Sequence, residues 1–279
     1  MASERQPEDK YVEVGGLRLH YLDWGGRSDR VVLLVHGLTG NAHDWDEIAH
    51  ALSDEYRVLS LDQRGHGDSQ WAADGYWPHL FGADVYQLAF KLDIVPFDLI
   101  GHSLGVWTGI AYAGDHWRDL SHLMLSDFGP EVGRESARAI QSRTGNRPLG
   151  FRNAEEAMAW LQETYPTRPT GLLERRVKYG MRVNWAGRLV WKHDPDLFWL
   201  TGSAALREVP YLWEQLGKAH CPILVMRGER SPMLTLDIRD RMLATAPRAK
   251  GVEVKGAGHY LYDENPQEFS RLTREFLAT

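Results

Sequence analysis

The sequence is short of cysteine, of long apolar runs and of positive charge. Its 279 residues contain a single cysteine, Cys221, which leaves no partner for an internal disulfide. Standing just before an apolar strand, Cys221 reads as a packing residue. No apolar stretch approaches the roughly 18 residues that a membrane-spanning helix requires. The first ten residues, Met-Ala-Ser-Glu-Arg-Gln-Pro-Glu-Asp-Lys, lack the apolar centre of a secretory signal. These absences lead us to expect no membrane association and a reducing, cytoplasmic setting. Lys and Arg number 32 against 38 Asp and Glu, a formal net charge of −6, so nucleic acid is not expected as a partner. The 12 histidines include no His-x-x-x-His pair, and without a second cysteine no metal site and no cofactor are expected. Internal repeats and low-complexity tracts are missing as well. What remains is an ordinary globular composition, 43% hydrophobic and 25% charged, with enough length for one large core.

The pattern centres on Phe97-Asp98-Leu99-Ile100-Gly101-His102-Ser103-Leu104-Gly105. A short apolar strand runs into Gly-x-Ser-x-Gly, after which Val106, Trp107, Ile110, Ala111, Tyr112 and Ala113 recur as in a buried helix. Strand, very tight turn and helix in that order make a nucleophile elbow. A side chain at Gly101 or Gly105 would collide with the turn or with the neighbouring strand. Ser103 is thereby pushed into a strained backbone with its hydroxyl exposed, at a helix N-terminus that favours negative charge.

Around this element the chain alternates. Residues 11–24 read as a hairpin turning at Gly15-Gly16. Val31-Val32-Leu33-Leu34-Val35 is a strand buried on both faces, ending in His36-Gly37-Leu38-Thr39-Gly40, with Asn41 capping a helix that contains Trp45, Ile48 and Leu52. Further strands are expected at 57–62, 122–127, 222–228 and 251–255, and helices at 79–92 and 266–277. This rhythm predicts a mostly parallel α/β sheet flanked by helices. Between 131 and 208 it breaks: helical segments at 134–143, 154–164 and 172–184 are separated by Pro148, Pro166, Pro169 and Gly171, with no strand pattern. We read 1–130 and 209–279 as two halves of one core and 131–208 as a helical lid. The lid carries 13 Lys and Arg against 9 Asp and Glu. A basic cover would draw an anionic substrate, although the same bias suits a solvated helix face. Arg138, Arg143, Arg147 and Arg168 are all open as partners for a substrate carboxylate. Most lid aromatics are expected to fill its own core or its seam with the sheet.

A serine hydroxyl is a poor nucleophile until a base takes its proton, and that base needs an acid to orient it. His259, in Gly256-Ala257-Gly258-His259 after the last strand, is the candidate base. His36 and His102 are expected to hold loops by hydrogen bonds, and His66 to organise its own loop. The developing oxyanion needs preorganised donors; the candidates are the backbone N–H groups of Leu104 and of Leu38, where Gly37 lets the chain turn inward. Trp107, Tyr165 and Tyr260 are candidate pocket-lining residues.

Val35-His36-Gly37-Leu38, Asp62-Gln63-Arg64-Gly65-His66-Gly67-Asp68-Ser69, the elbow and Gly258-His259 together resemble the α/β-hydrolase superfamily over nearly the whole chain. The resemblance implies that fold, a Ser-His-acid triad and a small-molecule acyl substrate. In most of the superfamily the acid follows the strand after the lid, where this chain reads Arg227-Gly228-Glu229-Arg230-Ser231, with Ser231 in place of the expected Asp. A subgroup places the acid after the strand that follows the elbow helix, where Asp127 stands. The resemblance therefore favours Asp127, with Glu229 as the alternative. It implies hydrolysis of a small ester, lactone or related acyl compound, an amide included. Carbon–carbon hydrolysis of a ring-fission diketone, or a receptor on the same scaffold, are the competing expectations. Epoxide hydrolases and haloalkane dehalogenases have Asp where Ser103 stands.

Overall fold

The computed structural model describes residues 6–166 and 168–279, without the side chains of Arg134, Arg143, Ser203 and Ala204. Strands β1 (Glu8–Val14) and β2 (Leu17–Asp23) form the predicted hairpin, followed by β3 (Val31–Val35), β4 (Arg57–Leu61), β5 (Phe97–His102) and β6 (Leu120–Ser126). Helices α1 (Asp46–Leu52), α2 (Pro78–Lys91) and α3 (Leu104–His116) connect them. Beyond the 131–208 segment the alternation resumes with α7 (Val209–Lys218), β10 (Ile223–Gly228), α8 (Leu236–Thr245), β11 (Ala249–Val254), α9 (Leu261–Glu264) and α10 (Pro266–Leu277).

Eight of these strands join in the order β1-β2-β4-β3-β5-β6-β10-β11. Every pairing from β4 to β11 is parallel, and only the two pairings of β2 are antiparallel. The apolar runs explain the layering. Successive side chains of a strand point to opposite faces. Val31, Leu33 and Val35 accordingly join a cluster with α2, α3, α7 and α8, whereas Val32 and Leu34 join one with α1 and α10. Burying each such side chain contributes about 1.5–3 kcal/mol relative to leaving it exposed. This is the α/β-hydrolase architecture that the sequence motifs implied.

The register fixes the active end. Val35 pairs with Gly101, His102 with Ser126, and Ser126 with Met226. The residues just past β3, β5, β6 and β10 therefore meet along one edge, where ligands of open α/β sheets bind.

The 131–208 segment holds α4 (Arg134–Gly145), α5 (Ala154–Thr164) and α6 (Thr170–Gly180). The expected helix at 172–184 is shorter than predicted: α6 stops at Gly180 and the chain turns into β8 (Met181–Val183). With β7 (Gly150–Phe151) and β9 (Leu189–Trp191) it forms a small antiparallel sheet in the order β7-β9-β8, a strand pattern the sequence did not reveal. Its hairpin is set by Asn184, whose side-chain oxygen accepts from the N–H groups of Ala186 and Arg188 at 3.0 Å each, and by Gly187 at φ +74°. Phe151, Ala157, Leu161, Leu173, Met181 and Trp191 make a separate apolar cluster, so the segment has a core of its own. Cys221 is buried as expected, and burial pushes its thiol up to about 12.

Candidate active site

The turn between β5 and α3 holds Ser103 at φ +54° and ψ −114°, a region that non-glycine residues occupy only when their surroundings impose it. Two glycines make this possible. A Cβ on Gly101 would fall on the Gly105 carbonyl, and one on Gly105 would fall on the carbonyl of Val35. The Ser103 N–H donates to Ser126 O at 3.2 Å and Val106 N–H donates to Ser103 O at 2.9 Å, which pins the elbow from both sides.

Asp127 ends β6 in the left-handed region at φ +55°. Its N–H donates to Met226 O at 2.8 Å. Its carboxylate, fully buried, curls toward the end of β10. One oxygen accepts the Gly228 N–H at 2.9 Å; the other accepts the Ser231 hydroxyl and His259 Nδ1 at 2.8 Å. Burial pushes the Asp127 carboxyl above the usual range, against the lowering pull of His259, Ser231 and Gly228. A carboxylate can only accept, so Nδ1 carries the proton and Nε2 remains the free basic nitrogen.

His259 and Ser103 line one cavity of about 550 Å³. No hydrogen bond joins them among the described residues. Such pairs are often open at rest and tighten when substrate binds. Leu38, Leu104, Trp107, Tyr165 and Tyr260 line the same cavity, together with Phe128, Leu200 and Met233. The Trp107 indole N–H donates to Gly129 O at 2.9 Å, which fixes the ring as a wall.

Glu229, the alternative acid, is not brought to the histidine. It lies exposed, accepting the Gly256 N–H at 2.8 Å and Lys255 at 3.4 Å, and these two partners hold its carboxyl below the usual range. His36 does hold its loop by hydrogen bonds: Nδ1 pairs with Gly37 O, and Nε2 accepts the Gln63 N–H. His66 Nδ1 donates to Arg64 O within its own loop. His102 is seated instead by ring packing, with centroids 4.6 Å from His259, 5.5 Å from Tyr260 and 5.0 Å from Tyr262.

Among the candidate arginines, Arg138 and Arg147 line the cavity. Arg147 lies with its guanidinium carbon 3.5 Å from the Trp191 ring centre, and two of its nitrogens are buried without a hydrogen-bond partner. Burial and the charge of Arg176 push Arg147 down to about 9. Arg168 covers the Tyr260 ring at 3.3 Å. The Arg143 side chain lies outside the described residues. His20, Asp62 and Asp68 are drawn together with ligand-capable atoms within 4.8 Å of one another. There Asp62 is already engaged by Ala42 N–H, Asp68 N–H and His20, and it anchors the loop after β4.

Ser231, a hydrogen-bond partner of Asp127, is not among the sequence-derived site residues; its signal in the sequence is the pattern Arg-Gly-x-x-Ser.

A mostly parallel sheet with a strained serine at the β5–α3 turn defines a hydrolase of the α/β class. The chain belongs to the Alpha/beta hydrolase family, whose sequence model matches residues 32–272. It is 30% identical over 272 residues to 3-hydroxybutyrate-oligomer hydrolase of Cupriavidus necator, covering 92% of each chain. To 2-(acetamidomethylene)succinate hydrolase of Mesorhizobium japonicum it is 26% identical over 261 residues, covering 92% of this chain and 90% of that one. A crystal structure of E-2-(acetamidomethylene)succinate hydrolase superimposes with a TM-score of 0.89 at 24% identity, over 98% of this chain and all of the other.

Proposed function

We propose that this hydrolase cleaves a small carboxylic ester that carries a second, free carboxylate, through Ser103, His259 and Asp127. The observation that carries the reading is the continuous Asp127–His259 pairing that opens onto the cavity lined by Ser103. His259 Nε2 takes the Ser103 proton as Oγ bonds to the carbonyl carbon. The resulting oxyanion is held by the N–H groups of Leu38 and Leu104. The carbon–oxygen bond to the leaving group then breaks, His259 returns the proton to that oxygen, and an acyl-Ser103 ester remains. Water, deprotonated by the same nitrogen, attacks this ester; the acid product leaves and Ser103 is reprotonated. The donors serve charge that exists only during reaction, so they act on rate more than on binding.

The anionic character rests on Arg147. A cationic side chain at the cavity wall with unpartnered nitrogens, and with no carboxylate beside it among the described residues, is costly unless an anion completes it. Both relatives are named for carboxylate-bearing compounds, hydroxybutyrate oligomers in one case and a succinate in the other. The 131–208 segment serves as the lid that brings Arg147 and Tyr165 over Ser103.

A fluorophosphonate probe is expected to label the protein, with labelling and ester turnover lost by a factor of roughly a thousand or more in Ser103→Ala. A 3-hydroxybutyrate dimer should turn over with a lower KM than its methyl ester, and Arg147→Met should abolish that preference. An unlabelled, inactive wild type would overturn the reading in favour of a binding protein.

A further inference from the structure

Arg176 lies on α6, outside the catalytic group proposed above, and it is buried at 7% exposure. One of its terminal nitrogens donates to both oxygens of Thr39, the carbonyl at 3.1 Å and the hydroxyl at 2.7 Å. Thr39 sits at φ +64°. A β-branched residue keeps that left-handed backbone only where its surroundings hold it. Thr39 also directly follows Leu38, whose N–H is a proposed oxyanion donor. Its loop passes so close to the nucleophile that a Cβ on Gly37 would come within 2.9 Å of the Ser103 Cβ.

Bonds from the core hold the chain on either side of Thr39: Gln63 Nε2 donates to His36 O at 2.7 Å, and Ala42 N–H donates to Asp62 at 2.6 Å. A bond within the loop, from Gly40 N–H to Gly37 O at 3.0 Å, closes the turn around Thr39. The oxygens of Thr39 itself are held from α6. The same helix is clamped onto the core next to this loop. Arg175 pairs with Glu47 at 3.2 Å and Asp46 at 3.8 Å, and the Tyr179 ring stacks on His43 at 3.5 Å. The oxygens of the strained residue beside the proposed oxyanion donor are thus tied to the 131–208 segment, while its turn is closed by a backbone bond of its own.

We propose that Arg176 is a positioning residue of the oxyanion hole: by gripping Thr39 it aims the Leu38 N–H, so the hole is complete only while α6 is seated on the core. This rests on the serine-hydrolase reading above. Lifting α6 would free Thr39 to relax toward an ordinary backbone and turn the Leu38 donor away. Seating of the lid and stabilisation of the transition state then become one event. Arg176 makes no contact with the reacting atoms in this scheme; its effect passes through the backbone of residues 38 and 39.

The test uses p-nitrophenyl butyrate, a neutral ester, so that any pairing of arginine with a substrate carboxylate is removed from the readout. Arg176→Met is expected to lower kcat by about tenfold to a hundredfold, the scale of a misplaced catalytic group, with KM changed less than about threefold. Affinity for butyl boronic acid, which adds to the serine as a tetrahedral anion, should fall in parallel with kcat. Thr39→Gly placed on Arg176→Met should recover several-fold of the lost kcat, because glycine adopts positive φ without support. Should Arg176→Met fail to fold, Arg176→Lys keeps the charge with a single-point donor and is expected to show a smaller fall of the same kind. Unchanged kcat and boronate affinity would overturn the proposal. So would a loss confined to KM for carboxylate-bearing esters, or a kcat defect that Thr39→Gly leaves untouched. Absence of turnover and of fluorophosphonate labelling in the wild type would instead overturn the serine-hydrolase reading, and this proposal with it.

Discussion

Asp127→Asn probes the site most sharply, because the structure dictates how the amide must sit. The Gly228 N–H donates to one carboxylate oxygen, while Ser231 and His259 meet the other. An asparagine that keeps its carbonyl toward Gly228 turns its NH2 toward His259 Nδ1. That nitrogen must then accept, the imidazole proton moves to Nε2, and the base toward Ser103 is lost. The reversed amide sets two donors, the amide and the Gly228 N–H, against each other at a fully buried position. The charge is lost as well. An imidazolium formed during reaction sits beside the carboxylate across a 2.8 Å contact. With charges about 3–4 Å apart and an effective dielectric near 20, their attraction is about 4–6 kcal/mol. At about 1.4 kcal/mol per decade, this predicts a loss of about a thousandfold to ten-thousandfold in kcat. The assay is kcat and KM on a p-nitrophenyl ester, with circular dichroism to show that the fold survives and Glu229→Gln as control. Glu229 faces Gly256 and Lys255, so the control should stay within about twofold of wild type. An Asp127→Asn enzyme that keeps a tenth of wild-type kcat, or a Glu229→Gln enzyme that does not, refutes the assignment of the acid.

Ser231→Ala removes a donor that lowers the Asp127 carboxyl, so the pair should take up its proton at higher pH. The acid limb of the kcat/KM profile should move upward, with a fall of about tenfold at its plateau for a lost bond to a charged group; a downward shift would contradict the geometry. Burial holds His66 down to about 3, and His36, His102 and His193 are likewise lowered. Unfolded, each would protonate near 6.5, so stability is full above that pH and is lost as pH falls, by up to about 1.4 kcal/mol per pH unit for each histidine. Urea melts between pH 7.5 and 5 test this, and a flat unfolding free energy over that range would rule it out. Gly105→Ala should abolish labelling by fluorophosphonate and lower the melting temperature, because its methyl group must displace the Val35 carbonyl; normal labelling would show that the elbow does not need that glycine.

The core was legible because a strand buried on both faces writes itself as an unbroken apolar run, as at residues 31–35, and because only glycine fits at 101 and 105. The proposed acid, Asp127, was not legible in this way. Its place depends on register, and nothing in a local pattern says that the end of β6 lies beside the end of β10. Ser126 pairs with Met226, so a carboxylate one residue past β6 and a side chain three residues past β10 arrive at the same spot. Ser231 occupies the second position and donates to the carboxylate at the first. The serine that stands where most of the superfamily has its acid thus bonds to the carboxylate proposed to replace that acid.

The small sheet within the 131–208 segment does not show in the sequence for a related reason. It is built from strands of two or three residues, too short for alternation to show against the flanking helices. The segment's arginines look alike in sequence, yet the fold separates them by their neighbours. Arg152 pairs with Glu156 at the surface, Arg147 lies on Trp191 with no anion among the described residues, and Arg176 gives one terminal nitrogen to Thr39 while its Nε is unpartnered. Composition registers only their sum, a basic bias, and a bias of that kind fits a solvated face as well as a substrate site. The distinction arises in three dimensions, where two of these cations are withdrawn from water and one ends beside the loop proposed to hold an oxyanion. A desolvated cation is worth keeping only if something negative or strongly dipolar completes it. For Arg176 that partner is the carbonyl and hydroxyl of Thr39, next to the proposed oxyanion donor. For Arg147 it is left to the substrate, which is why the two arginines should part company when a neutral ester is used: Arg147→Met should leave its turnover intact, and Arg176→Met should not.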